Sequence, residues 1–209
     1  MERYVWSLDI STTNIGSTLM NTKGKLIELK HLELKLDKDI PVENRYIFKA
    51  EMFREYVTKY KERILNELNG EIIQIILEAP LGGSINPTTA ALLFGFNGIC
   101  SYILYKIFDI YPQKISVYDS RRLFLNELVK ISHKKNKKTG KIETIETLSF
   151  PPKYIKEKKL YIWEKVCKLE PQIKWFYKKN TNEPKDMCFD MADSYCCCYS
   201  GMRKFGILE

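Results

Sequence analysis

Histidine is nearly missing from this 209-residue chain, which holds only His31 and His133. Chemistry built on an imidazole base, or on several histidine metal ligands, therefore has few parts to work with. No apolar run approaches the roughly 18 residues that a membrane span needs, so a soluble chain without a membrane partner is expected. No secretory leader is expected, because the first strand-like segment begins at Tyr4. Six cysteines are present, but Cys196, Cys197 and Cys198 are consecutive, which is no disulfide framework. Reduced thiols, and hence a cytoplasmic setting, are the expectation. Neither an internal repeat nor a low-complexity tract interrupts the chain.

What is present is globular: 44% hydrophobic and 29% charged residues. The length suits one domain over 1–209 carrying an insertion. The formal charge of +8 is unevenly spread. From Lys130 to Lys159 there are ten lysines against Glu143, Glu146 and Glu157, so nearly all of the excess lies there. Such a concentration is what binding to a phosphate backbone requires, and Lys134, Lys135, Lys137 and Lys138 are its centre. A solvated lysine-rich loop has the same composition.

Hydrophobic periodicity divides the chain into alternating strands and helices. Tyr4 to Ile10 reads as a buried strand with one anomalous charge, Asp9. Ile15 to Met20 and Leu26 to Leu36 follow as second and third strands, joined through the turn residues Asn21 to Gly24. Phe48, Met52, Tyr56, Tyr60, Ile64 and Leu68 mark the inner face of an amphipathic helix. Ile72 to Leu77 is a continuous apolar strand that again ends in an acid, Glu78. A largely apolar and buried helix is expected from Thr88 to Phe108, a fifth strand from Lys114 to Tyr118, and a short helix from Arg121 to Val129. The basic insertion occupies about 130–153, where alternation at Ile142, Thr144, Ile145 and Thr147 suggests a hairpin. Helices from Tyr154 to Leu169 and from Asp186 to Met202 complete the chain.

The chemistry-bearing residues are acids. Two central strands end in Asp9 and Glu78, and the last helix carries Asp186, Asp190 and Asp193 on one face. Like charges gathered in a low dielectric either take up protons or recruit a cation, and oxygen ligands select magnesium or manganese. Two such cations per site would clamp the attacking and leaving oxygens of a phosphodiester. Each acid also has a plain structural role open to it: a turn former at Asp9, a strand-end surface acid at Glu78, a solvated helix face at Asp190 and Asp193. For Asp186 the N-cap of the last helix is favoured over a metal ligand. The loop from Leu81 to Asn86, with Gly82, Gly83 and Ser84, follows Glu78 and would turn backbone amides to phosphate or act as a connector.

Trp6-Ser7-Leu8-Asp9-Ile10 with Ser11-Thr12-Thr13-Asn14-Ile15-Gly16, then Ile75-Ile76-Leu77-Glu78, then Asp190-Met191-Ala192-Asp193-Ser194, resembles the three acidic signatures of RuvC-type Holliday-junction resolvases, phage and poxvirus relatives included. The resemblance runs over nearly the whole chain. It implies an α/β, ribonuclease H-like mixed five-stranded sheet, antiparallel in strands 1–3 and parallel in strands 4–5, flanked by helices. It further implies Asp9, Glu78, Asp190 and Asp193 as the metal ligands, a homodimer, and a four-way DNA junction nicked symmetrically to leave 5′-phosphate and 3′-hydroxyl ends. Lys156, Lys158 and Lys159 are similar to the family's basic residues before its last helix. The stretch from Ser132 to Phe150 is longer than in the bacterial enzymes, which separates this chain from their base preference.

The first motif is also similar to the phosphate-binding hairpin of actin-like ATPases and sugar kinases, but those need a second lobe for which 209 residues leave no room. A less selective branched-DNA nuclease, an RNA:DNA hybrid nuclease and a non-catalytic junction-binding protein remain open.

Overall fold

A computed structural model describes residues 1–41, 44–80, 86–135 and 140–208. Strands β1 (Glu2–Ile10), β2 (Asn14–Asn21), β3 (Leu26–Glu33), β4 (Gly70–Glu78) and β5 (Gln113–Ile115) form one sheet in the order β3-β2-β1-β4-β5. β1, β2 and β3 pair antiparallel, while β4 runs parallel to both β1 and β5. This is the expected mixed five-stranded α/β sheet of ribonuclease H-like type.

Period-two alternation assigns the two faces of β1. Tyr4, Trp6, Leu8 and Ile10 join the core beneath helices α1 (Arg45–Asn66) and α2 (Pro87–Phe108), whereas Val5 joins the opposite core with helix α5 (Asp186–Lys204). Ser7 and Asp9 share the face of Val5. On β4, Ile76 joins the α5 core while Ile75 and Leu77 join the other, so Glu78 also faces α5. Helices α3 (Val117–Phe124) and α4 (Lys158–Leu169) pack beside α5.

Five expectations shift. The buried stripe of α1 is Phe53, Val57, Tyr60 and Ile64. Phe48 is exposed, because a position five residues before Phe53 is out of phase with that stripe at about 3.6 residues per turn. The fifth strand stops at Ile115, since Ser116 accepts a hydrogen bond from Asp119 N at 3.0 Å and caps α3, turning Val117 and Tyr118 into helix. Helix α2 is not wholly buried: only Phe96, Asn97, Cys100, Ile103 and Leu104 turn inward. At 22 residues α2 is also long and apolar enough to cross a membrane by length and composition, contrary to the sequence reading. Finally, the helix expected from Tyr154 starts only at Lys158, as α4, and Tyr154 closes a separate short 3-10 segment at Pro152–Tyr154.

Strands β6 (Val129–Lys135) and β7 (Ile142–Leu148) pair as an antiparallel hairpin separate from the main sheet. Its side chains are mostly exposed. The base is tied to α3, where Tyr118 Oη donates to the Glu146 carbonyl at 2.6 Å and Arg122 reaches Glu146 Oε2 at 3.1 Å. All six cysteines are free thiols.

Candidate active site

Asp9 and Glu78 are brought together by strand register. Leu8 pairs with Leu77 across the parallel β1–β4 ladder, so the next step along both strands sets Asp9 beside Glu78 at the spacing of neighbouring strands. On the other side Asp9 pairs with Gly16 of β2. Gly16 is where α5 meets the sheet: a Cβ there would lie 2.0 Å from the carbonyl oxygen of Asp190. Only a hydrogen fits, and the close approach carries the Asp190 turn of α5 over the end of β1.

Buried hydroxyls fix the rest of α5. Ser7 Oγ donates to the Ser194 carbonyl at 2.6 Å, and Ser194 Oγ, which donates to the Met191 carbonyl, lies 2.7 Å from Thr18 Oγ1. These bonds leave no buried polar group open at the residue that follows Asp193. Farther along, Ser200 Oγ donates to the Ser120 carbonyl at 2.6 Å and clamps α5 to the turn of α3 that carries Arg121.

The result is a concentration of negative charge. Asp193 is only 3% exposed, while Asp9, Glu78 and Asp190 are half-buried. Desolvation, followed by repulsion from Asp193 and Asp190, pushes Asp9 up to about 7. Glu78 is raised well above the ordinary carboxylate range by burial, then by Asp9 and Asp193. Burial raises Asp190 as well, with Asp193 adding to the effect. Burial first, and repulsion from neighbouring carboxylates second, thus make three carboxyls resist losing their protons, which is the electrostatic signature of a cation-seeking cluster.

Two cations answer them. Lys159 Nζ lies 2.9 Å from Asp193 Oδ2 and 3.6 Å from Asp190 Oδ1. Arg121 Nη2 lies 3.6 Å from Asp193 Oδ1, and Arg121 Nε is buried without a hydrogen-bond partner among the described residues. Although burial opposes its charge, Lys159 is held protonated above its usual range by Asp193, Asp9 and Asp190.

The four carboxylates offer only hard oxygen donors, and that donor set fits magnesium or manganese. Among the described residues, however, no group of three His, Cys, Asp or Glu side chains is gathered closely enough to hold a metal ion. An ammonium group, that of Lys159, bridges Asp190 and Asp193 instead.

Next to the cluster opens a cleft of about 760 Å³ whose lining includes Arg121, Lys156, Lys158, Lys159 and Lys178, with Glu157 and Glu183 as its acids. Ile155, Leu160 and Phe189 supply an apolar floor. The three lysines expected before the last helix therefore line one cavity. Lys134 and Lys135 stand apart on the exposed hairpin, and Lys137, Lys138, Gly82, Gly83 and Ser84 lie outside the described residues. Asp186 is not the N-cap of α5. Lys185 holds that position, and Asp186 is the first helical residue, exposed and acting on Asp190 and Lys178. Proline at 184 and the extended backbone of Lys185 start the helix one residue earlier than the cap pattern suggests.

Sequence reasoning missed Arg121 and Lys178. Arg121 was legible in principle, since Ser116-x-x-Asp119 is a helix-start pattern that puts Arg121 one turn inside α3. Lys178 sits in a loop with no periodicity to orient it.

No protein-family model matches the chain, and no curated protein matches it. Thermus thermophilus RuvC, solved in complex with a Holliday junction substrate, superposes with a TM-score of 0.52 over 96% of this chain and 96% of that chain, at 10% identity. A second Thermus thermophilus RuvC structure gives 0.49 over 97% and 96%, at 9% identity. A Ppx/GppA phosphatase of Aquifex aeolicus gives 0.39 over 80% of this chain and 64% of its own, at 13% identity. At such identities the first likeness establishes a shared fold: the chain has the RuvC-like, ribonuclease H-like architecture.

Proposed function

We propose that the chain is a magnesium-dependent endonuclease that resolves four-way DNA junctions by paired, symmetrical phosphodiester hydrolysis. The observation that carries this reading is the convergence of Asp9, Glu78, Asp190 and Asp193 beside a lysine-lined cleft on a RuvC-like fold. Those four carboxylates would hold two Mg²⁺ ions, with Mn²⁺ able to replace them. Bound there, such ions would supply Lewis-acid polarisation of a phosphodiester and activation of the attacking water.

The protein's own groups do the rest. Lys156, Lys158 and Lys178 offer ammonium charges to the strand's phosphates along the cleft wall, and Arg121 offers a fixed guanidinium at its inner end. Lys134 and Lys135 extend the positive surface onto the hairpin, where a duplex arm would pass. Neutralising both, together with Lys137 and Lys138, weakens junction binding and flattens its salt dependence. An unchanged salt slope would remove the hairpin from the interface.

The protein partner is a second copy of the chain: paired nicks on two strands need two centres, and the exposed Leu92, Phe94, Ile99 and Tyr102 of α2 offer an apolar face for a homodimer. We place the reaction in the cytoplasm, where free thiols persist, in an enzyme of the branch that includes the phage and poxvirus resolvases.

Cleavage of a synthetic four-way junction, a flap and a linear duplex, compared under one Mg²⁺ titration, tests the proposal. Paired nicks in the junction alone are expected, with Asp190→Asn abolishing them while binding persists. Cutting by that variant at the wild-type rate would refute the site. Equal cutting of all three substrates would leave the less selective nuclease as the better reading.

A further inference from the structure

The two cations that face the carboxylates differ in their freedom to leave. Arg121 projects from the middle of α3 with its side chain 18% exposed, and its backbone neighbour Ser120 is bolted to α5. Lys159 projects from the first turn of α4 with its side chain 49% exposed. It belongs to two places at once, touching Asp190 and Asp193 on one side and lining the basic cleft on the other.

We propose that Lys159 is an exchangeable occupant of the carboxylate cluster: its ammonium holds Asp190 and Asp193 together until a divalent cation takes them over and releases it to the cleft. The inference rests on the metal-site reading given under Proposed function. Three observations carry it. Lys159 Nζ is shared between the two carboxylates of one helix face, at 2.9 and 3.6 Å, so it offsets the repulsion that a divalent cation would offset. Secondly, the first turn of α4 carries Lys158 and Lys159 and no acid. Lysines there are mildly opposed by the helix dipole, so contact with carboxylates outside the helix favours them. Thirdly, the described carboxylates are not gathered for a metal ion as they stand, and the group between two of them is this ammonium.

Lysine suits the part and arginine does not. An ammonium on a four-carbon stem is compact and readily hydrated, so leaving costs it little, whereas the Arg121 guanidinium is enclosed. After the exchange Asp193 retains Arg121, and the freed ammonium faces the cleft where a phosphate would lie.

The test is Mn²⁺ binding to the intact protein, followed by calorimetry without DNA. Lys159→Gln is expected to bind Mn²⁺ about tenfold more tightly than wild type, because no resident charge has to be displaced. Lys156→Gln removes the same charge from the same cleft and should change the affinity less than about twofold, while Lys159→Arg, whose forked guanidinium leaves the carboxylates less readily, should bind Mn²⁺ more weakly than wild type. A second measurement needs no variant. Acylation of Lys159 by an amine-directed reagent, read by peptide mass spectrometry, should rise several-fold on saturation with Mn²⁺, with Lys156 unaffected. Equal Mn²⁺ affinity in wild type and Lys159→Gln, or unchanged acylation, would overturn the exchange and leave the metal site standing. Failure of folded wild type and variants alike to bind Mn²⁺ would overturn both.

Discussion

Helices α2 and α5 are similar in length, and a reader of sequence would bury the wrong one. α2 holds no acid and is rich in leucine, isoleucine and aromatics, yet only five of its 22 residues are buried. α5 carries three aspartates and buries twelve of 19. The difference lies in what packs around each helix and not in hydrophobicity. Helix α5 lies against β1, β2 and β4 on one side and against α3 and α4 beside it, with Gly201 pressed on Ile76. Helix α2 packs mainly on α1, with one face turned to solvent and Tyr102 63% exposed. Intimate seating, and not greasiness, is what brings ionisable groups into a core.

Substitutions can break that contrast or sharpen it. The largest effect on stability is expected for Gly16→Ala, since the new methyl meets the backbone of α5 and cannot be accommodated by a rotamer change. A loss of about 3 kcal/mol, with nicking abolished, is expected from urea unfolding and junction cleavage. Gly201→Ala makes the instructive control. Its methyl meets the side chain of Ile76, 2.6 Å from Cδ1 and 2.8 Å from Cγ2, and no backbone, so a smaller loss of about 1–2 kcal/mol is expected. Equal losses would mean that α5 is not held by the contact at Gly16.

Asp9→Asn comes next and has the opposite sign on stability. The carboxyl of Asp9 titrates near 7 in the folded chain, against about 4 when unfolded. Between those values the folded state holds the extra proton, so stability falls as pH rises and the deficit is complete above about 7. The asparagine variant should therefore melt roughly 3 °C above wild type at pH 8 without metal, with the gap closing toward pH 4, while nicking is lost. A gap that widens at low pH would contradict the burial assigned to Asp9.

On α2, Leu92→Lys combined with Tyr102→Glu should change unfolding by no more than about 0.5 kcal/mol and convert a dimer to monomer in sedimentation. A large loss of stability would show that this face is core after all. Smallest of all, Asp186→Ala should leave both unfolding and nicking within about twofold, because the side chain is exposed and caps nothing.

Much of this was legible from residue order. Strands that stay apolar up to a terminal acid announce Asp9 and Glu78, since a charge at the end of a buried run has to be accounted for. The Asp190–Asp193 spacing places both on one helix face. Lys159 was selected as basic, but its engagement with the acids depends on how α4 crosses α5, which no local pattern encodes. Gly16 stood in the first motif, yet its role as the point of closest approach depends on a helix 174 residues downstream. The exposure of α2 was invisible for the same reason: composition reports what a helix could bury, and tertiary geometry decides what it does.

The missing side chain at Gly16 separates two kinds of intolerance that usually overlap in an enzyme. In a saturation library read once for cellular abundance and once for DNA cutting, position 16 would be depleted in both readings. On the proposed reading, Asp9, Glu78 and Asp190 would vanish from the second alone, leaving well-expressed, silent proteins, whereas loss of Asp193 would also strip Arg121 of its carboxylate. A lineage that gave up catalysis but kept binding DNA would shed Asp9 and Asp190 freely and still be obliged to keep that one glycine.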